Sequence, residues 1–152
     1  MIQTIVQVSM IFGVLQLESS IQRFYYDLKE DDRKVMISTI IAFVFVLSLL
    51  ISISIYLTSS LISNYFFKTN FYTTEISIAG FIIPLINISI LNFIVLRYDK
   101  KAFAFSSITF MQVIITTSFI ILFSMFLKWG IKSVFLGQLL GYIFVIIAQF
   151  IY

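Results

Sequence analysis

The sequence predicts an all-α fold: a polytopic membrane helical bundle of about five transmembrane helices, in a single domain over residues 1–152. Three observations predict it. Hydrophobic residues make up 61% of the chain and charged ones 11%, with a mean hydropathy of +1.08, against about 45–50% and about 25% in soluble domains. Apolar stretches of near-spanning length recur five times, and the charges collect in the short loops between them. Such a chain has more apolar surface than its own core can hide, so lipid must solvate most of its length.

The five stretches are residues 2–21, 35–62, 74–96, 103–127 and 133–152. A lipid-spanning helix needs about 20 mostly apolar residues at about 1.5 Å each, because hydrocarbon offers no partner to an unpaired backbone group. Strands are the competitor, since Ile, Phe and Thr favour sheets and ISISIY alternates from Ile51 to Tyr56. Membrane strands need about ten-residue alternation throughout, whereas residues 40–50, IIAFVFVLSLL, are apolar on every side. The helical reading therefore prevails.

The first segment carries Glu18, the only acid near its inner end. Burying a carboxylate in hydrocarbon costs several kcal/mol unless it faces protein or water. Glu18 has two readings: a proton or cation coupling site, or an interfacial residue one turn from Gln22 and Arg23. The block that follows, IQRFYYDLKEDDRK (residues 21–34), is dense in charge. Arg23 and Asp27, and Glu30 and Lys34, stand i, i+4; one continuing helix would pair them for about 0.2–0.5 kcal/mol each. Arg23 reads as a boundary anchor, or as a cation meeting lipid phosphate or an anionic substrate.

In the second segment the spacings Ser38/Ala42 and Ser48/Ser52 suit close helix packing. The third holds Pro84, which frees a backbone carbonyl and bends a helix; it is a candidate hinge, or an ordinary feature of membrane helices. Asn87, Ser89 and Asn92 follow it. The fourth carries Gln112, Thr116 and Thr117, whose polar groups require a neighbouring helix or a watery cavity. In the fifth, Gly137 and Gly141 in GQLLG have the G-x-x-x-G spacing that lets helices approach closely.

Loop charges set an orientation. Arg23, Lys29, Arg33 and Lys34, with Arg97, Lys100 and Lys101, put seven cations on one side against Lys68, Lys128 and Lys132 on the other. Positively charged loops stay inside, so the loops 22–34 and 97–102 are expected in the cytoplasm. Tyr25, Tyr26 and Tyr98 on that side, and Tyr65, Tyr72 and Trp129 on the other, suit interfacial belts. On this topology the first segment begins outside with nothing before it to carry Met1 across. The chain is therefore expected to be a piece of a longer transporter.

Several functions are disfavoured. The basic residues lie in short loops and form no solvated face, so nucleic acid is not an expected partner. With no Cys and no His, disulfides, thiolate metal sites and the commonest general base are absent. Asp31 and Asp32 lack the second acidic cluster that a Mg²⁺-diphosphate enzyme requires. Tyr98–Asp99 sits in a loop, whereas an intramembrane aspartyl dyad lies within the bilayer. No catalytic constellation emerges, and the expectation is a protein that is not an enzyme, with no cofactor and no metal.

The order of short motifs resembles a known family. Gly13, then ESSIQRFYYD from Glu18 to Asp27, a charged loop, two helices and VLRYDKKAF from Val95 to Phe103 are similar to the oligosaccharide flippases of the multidrug/oligosaccharidyl-lipid/polysaccharide exporter superfamily. Gly13, Arg23, Phe24, Tyr25, Tyr26 and Asp27 match the end of that family's second helix. Leu96, Arg97, Lys100 and Lys101 match the end of its fourth, and the stretch from Trp129 to Gly141 matches the start of its sixth. Glu18 stands where many members carry Ala or Gly.

The resemblance implies that the five segments are helices two to six of a transporter with about twelve to fourteen, built from two bundled halves. It implies translocation of a polyprenyl-diphosphate-linked oligosaccharide across the bacterial cytoplasmic membrane for O-antigen or capsular polysaccharide biosynthesis, coupled to H⁺ or Na⁺. Arg23 and Arg97 are its candidate substrate-binding residues, placed to meet the diphosphate near the cytoplasmic boundary. The expected partners are the lipid bilayer, the lipid-linked oligosaccharide and the remainder of the transporter, without which the piece is not expected to transport. Two alternatives stand beside it: a drug or metabolite exporter of the same superfamily, and a non-transporting membrane scaffold subunit.

Overall fold

The computed structural model describes residues 1–151, so Tyr152, the last position of the fifth predicted segment, lies outside the described residues. Six helices form an all-α bundle: α1 (Ile2–Val14), α2 (Leu17–Phe24), α3 (Glu30–Phe67), α4 (Thr73–Tyr98), α5 (Ala102–Met125) and α6 (Ile131–Ile151). Among the described residues there is no strand. Helices α3, α4, α5 and α6 are each long and apolar enough to cross a membrane, and α1 with α2 pass the same test together as one bent span. The protein is a membrane-embedded, multi-pass helical bundle.

The first predicted segment is not one continuous helix. Leu15 and Gln16 both adopt left-handed backbone, at φ 47° and 55°, and α1 and α2 diverge by 46° across them. Left-handed conformation costs a non-glycine residue about 1–2 kcal/mol, so two in succession end a helix that the apolar pattern alone would continue.

The second segment differs in the other direction. Helix α3 runs 38 residues, beyond the predicted 35–62 at both ends. Glu30, Asp31 and Asp32 occupy its first turn, where acids complement the helix dipole, and Lys34 pairs with Glu30 at 2.7 Å. The charged block is thus mostly helix, and only residues 25–29 link α2 to α3. Arg23 and Asp27 form no ion pair, because α2 stops at Phe24. At about 1.5 Å per residue α3 is about 57 Å long, well beyond a hydrocarbon core of about 30 Å.

Helix α4 occupies the centre, with buried residues on all sides from Glu75 to Leu96. It packs on α3, α6 and α1, whereas α5 packs chiefly on α6. Helix α3 meets it through a stripe of small side chains: Ser48, Ser52, Ser59 and Ser63 are buried along one face with Val44 and Ile55. Lipid is as apolar as a leucine side chain, so close packing and hydrogen bonds must hold such helices together. Serines let backbones approach, and at Gly80 a Cβ would stand 3.1 Å from Ile55 Cγ2. Ser38 and Ala42, on the outer face of α3, remain exposed; they line a shallow groove with Thr39, Phe43 and Val46.

Candidate functional site

The break between α1 and α2 opens a cavity of about 610 Å³ lined by Gln7, Met10, Ile11, Val14, Gln16, Glu18 and Ile90. Gln7 comes from α1, Gln16 from the break itself and Glu18 from the first turn of α2. A broken helix leaves amides and carbonyls without intrahelical partners, and at membrane depth such backbone persists only inside protein or beside water. Half-buried Glu18 sits in the first turn of α2. An apolar wall with one acid and two amides can hold an amphipathic molecule by its apolar part and orient a polar or cationic group.

Arg23 and Arg97 are both exposed, and neither lines this cavity. The Arg23 guanidinium lies 5.4 Å from the centre of the Phe24 ring, and that of Arg97 lies 5.2 Å from the centre of the Phe105 ring. Each is the basic residue in the last turn of its helix, α2 and α4, where a cation complements the dipole.

At the same end of the bundle the α2–α3 linker is fastened to the α4–α5 turn. Buried Tyr25 donates its hydroxyl to the Asp99 carboxylate, and Tyr26 donates its own to the Tyr98 carbonyl at 3.0 Å. The Tyr25 and Tyr98 rings meet at 5.1 Å, and the Arg33 guanidinium covers the Tyr25 ring at 4.7 Å. Burial, reinforced by the Asp99 carboxylate and opposed by Arg33, pushes the Tyr25 hydroxyl up to about 12. The two basic segments that charge counting grouped together are therefore physically joined.

Deeper in the bundle, Asn87 Nδ2 donates to Ser48 Oγ at 2.7 Å. Gly13 is pressed on this pair: a Cβ there would stand 2.2 Å from Asn87 Nδ2 and 2.9 Å from Ser48 Oγ. Pro84 is buried one turn before Asn87, and α4 continues through it as a single helix. The carbonyl that Pro84 leaves without an amide partner belongs to Gly80.

Gly137 and Gly141 face α5. A Cβ on Gly137 would meet Ile120 Cγ1 at 2.5 Å and its backbone nitrogen at 3.0 Å, and one on Gly141 would meet Thr116 Oγ1 at 2.0 Å. Below them Gln112, Thr116 and Thr117 line a cavity of about 320 Å³ with Gln3, Gln138 and Tyr142. The Gln112 amide hydrogen-bonds the Tyr142 hydroxyl.

Sequence reasoning assigned no partner to three other polar residues. Gln149, 7% exposed, donates Nε2 to the Ser89 carbonyl at 3.1 Å and accepts Asn92 Nδ2 at 3.3 Å, tying α6 to α4. Asp99 was readable only as a loop acid. Glu75 is 2% exposed at the start of α4. Among the described residues no three His, Cys, Asp or Glu side chains converge as a metal site. Asp31 and Asp32 are exposed in the first turn of α3.

Fold and site together define a polytopic α-helical membrane protein with a mainly apolar cavity, carrying one acid and two amides, at a broken span. Comparison with protein-family models, with curated proteins and with solved structures finds no match.

Proposed function

We propose that this chain is part of a flippase that translocates a polyprenyl-diphosphate-linked oligosaccharide across the bacterial cytoplasmic membrane for polysaccharide biosynthesis. The observation that carries the reading is the cavity at the α1–α2 break, where Gln7, Gln16 and Glu18 share a mainly apolar lining within a membrane span. A lipid-linked sugar needs such a surface, because its polar part must cross a region where each unsatisfied polar group costs several kcal/mol. The order of Gly13, RFYYD and LRYDKK along the chain supports the same reading through the family it resembles. The seven cations of the joined basic end support a cytoplasmic location for that end. Arg23 and Arg97, exposed there at two helix ends, are positioned to attract the diphosphate before it reaches the cavity.

Disrupting the gene in its host tests this. Surface polysaccharide is expected to disappear while its lipid-linked repeat unit accumulates on the inner leaflet, and Arg23→Ala with Arg97→Ala is expected to reproduce part of the defect. Unchanged surface polysaccharide after disruption overturns the proposal. A drug or metabolite exporter of the same superfamily is the second reading, favoured by the single acid Glu18 in an otherwise apolar and amide-lined cavity. Under that reading, disruption raises sensitivity to amphipathic cations and leaves the polysaccharide intact.

A further inference from the structure

Six of the eight residues around the cavity of about 320 Å³ carry a neutral polar group: the carboxamides of Gln3, Gln112 and Gln138, two threonine hydroxyls and the Tyr142 phenol. Only Ile86 and Val113 are apolar, and none of the eight is charged. Gln112 and Tyr142 stand halfway along α5 and α6, so this polarity lies deep in the span. Helix-to-helix bonding accounts for part of it, because Gln112 joins Tyr142. Gln3, Gln138, Thr116 and Thr117 form no side-chain hydrogen bond among the described residues. At membrane depth such groups need water or a ligand.

The cavity also has neighbours along one side of α1. Gln3 lines it and, at the end of the bundle opposite the basic clasp, a further cavity of about 270 Å³ with Tyr72 and Ile131. Gln7, one turn on and also exposed, lines the cavity at the α1–α2 break. Helix α4 repeats the arrangement: Ile86 belongs to the middle cavity and Ile90, one turn on, to the one at the break. Three cavities thus follow the same two helices, and the middle one is the richest in hydrogen-bonding groups.

Its chemistry selects an occupant. An ionic group entering here loses its water and gains no counter-charge, since the lining is uncharged and α5 has no titratable side chain. An apolar group strands three amides. A hydroxyl both donates and accepts, as carboxamides, threonines and tyrosine do, so a compound with several hydroxyls around one ring answers the lining from several directions. The volume of about 320 Å³ is near the bottom of the range of about 300–1,000 Å³ for small-ligand sites, which suits a single ring.

We propose that this cavity binds a neutral sugar ring, with Gln112, Gln138 and Tyr142 as its hydrogen-bonding partners and Gln3 at its outer edge. The site rests on the transport reading only for its role, which is to hold the carbohydrate of the cargo between the break and the far end of the bundle. Sugar binding itself is measured apart from transport.

The chain has no cysteine, so one introduced thiol reports without background. In lipid nanodiscs the full chain carrying Thr117→Cys is reacted with N-ethylmaleimide, beside Phe110→Cys, an exposed position on α5 outside the cavity. Thiols react as thiolates, which need water, so the cavity thiol is expected to label faster than the outer one. Methyl glycosides of glucose, galactose and N-acetylglucosamine are added in solution, and glycosyl diacylglycerols bearing the same sugars are added in the bilayer. A saturable slowing at the cavity thiol, and none at the outer one, is expected in at least one arm; the responding arm shows whether a lipid tail is required. The corresponding sugar phosphates are expected to give no protection. Gln138→Leu is expected to raise the half-protecting concentration about fivefold, the ratio that one neutral hydrogen bond is worth. The proposal is overturned by equal labelling of the two thiols, by no protection in either arm, by equal protection from the sugar phosphates, or by an unchanged midpoint in Gln138→Leu. Should Thr117→Cys fail to fold, Val113→Cys, also exposed and in the lining, is read by the same criteria. Protection in a chain whose disruption leaves surface polysaccharide intact removes the flippase reading and keeps this site.

Discussion

Asn87 of α4 and Ser48 of α3 share a fully buried hydrogen bond of 2.7 Å, and α1 crosses it where its side chain is a single hydrogen, at Gly13. Three helices meet at that point, and the approach is too close for any other residue.

Gly13→Ala is accordingly expected to destabilise the bundle by about 1–3 kcal/mol, the usual range for overpacking. The methyl group would stand 2.2 Å from the Asn87 amide. Adding Asn87→Ala removes that obstacle, so the double variant is expected to lose less than the sum of the two single ones. A double-mutant cycle by SDS-titrated unfolding in mixed micelles measures the coupling; strict additivity is the contrary result.

The clasp between Tyr25 and Asp99 predicts a pH dependence whose sign follows from where the proton is held. An unfolded tyrosine titrates near pH ~10, and the folded one near 12. The fold therefore holds this proton more tightly than the unfolded chain does. Its contribution is complete below about pH 10 and declines as pH rises from there through the folded value. Tyr25→Phe is expected to flatten that decline, and at neutral pH to cost about 1.5–3 kcal/mol for a hydrogen bond to a charged group. Unfolding midpoints across the alkaline range, compared between wild type and variant, isolate this tyrosine from lysines that titrate nearby.

The two glycines of α6 should differ in how they can be rescued. Gly141→Ala meets chiefly the Thr116 hydroxyl, and Thr116→Ala is expected to restore most of the stability lost. Gly137→Ala also meets the Ile120 backbone nitrogen, at 3.0 Å, so Ile120→Ala is expected to restore little. Losses of about 1–3 kcal/mol for each single variant are readable by the same unfolding titration.

Much of the architecture was legible because hydropathy, run length and charge all respond to the same solvent. The spans over 74–96 and 103–127 needed only an adjustment of one or two residues, to Thr73–Tyr98 and Ala102–Met125. What hydropathy missed is backbone conformation and pairing at a distance. Leu15 and Gln16 turn left-handed with neither glycine nor proline between them, so no residue there announces the break. Helix α3 continues into charged residues that a hydropathy boundary excludes, because a helix ends where its hydrogen bonds end, whatever surrounds it. Tyr25 and Asp99 are 74 residues apart, and nothing local marks either as the partner of the other. Glu18 was found because it interrupts an apolar run, whereas the burial of Glu75 at the start of α4 depends on neighbours distant in sequence.

Helix α5 buries only Ala104 and Ile108 and leans on α6 for nearly all its support. Its 24 residues extend about 36 Å, slightly more than a typical hydrocarbon core of about 30 Å. Thinner membranes therefore ask it to tilt, and thicker ones let it stand upright. Such a tilt reaches the rest of the molecule mainly through the glycine contacts into α6 and from Gln149 into α4, with the Phe93–Phe105 ring contact as a direct link from α5 to α4. The bilayer's own thickness, acting through this outer lever, becomes a variable that sets the posture of the central helix.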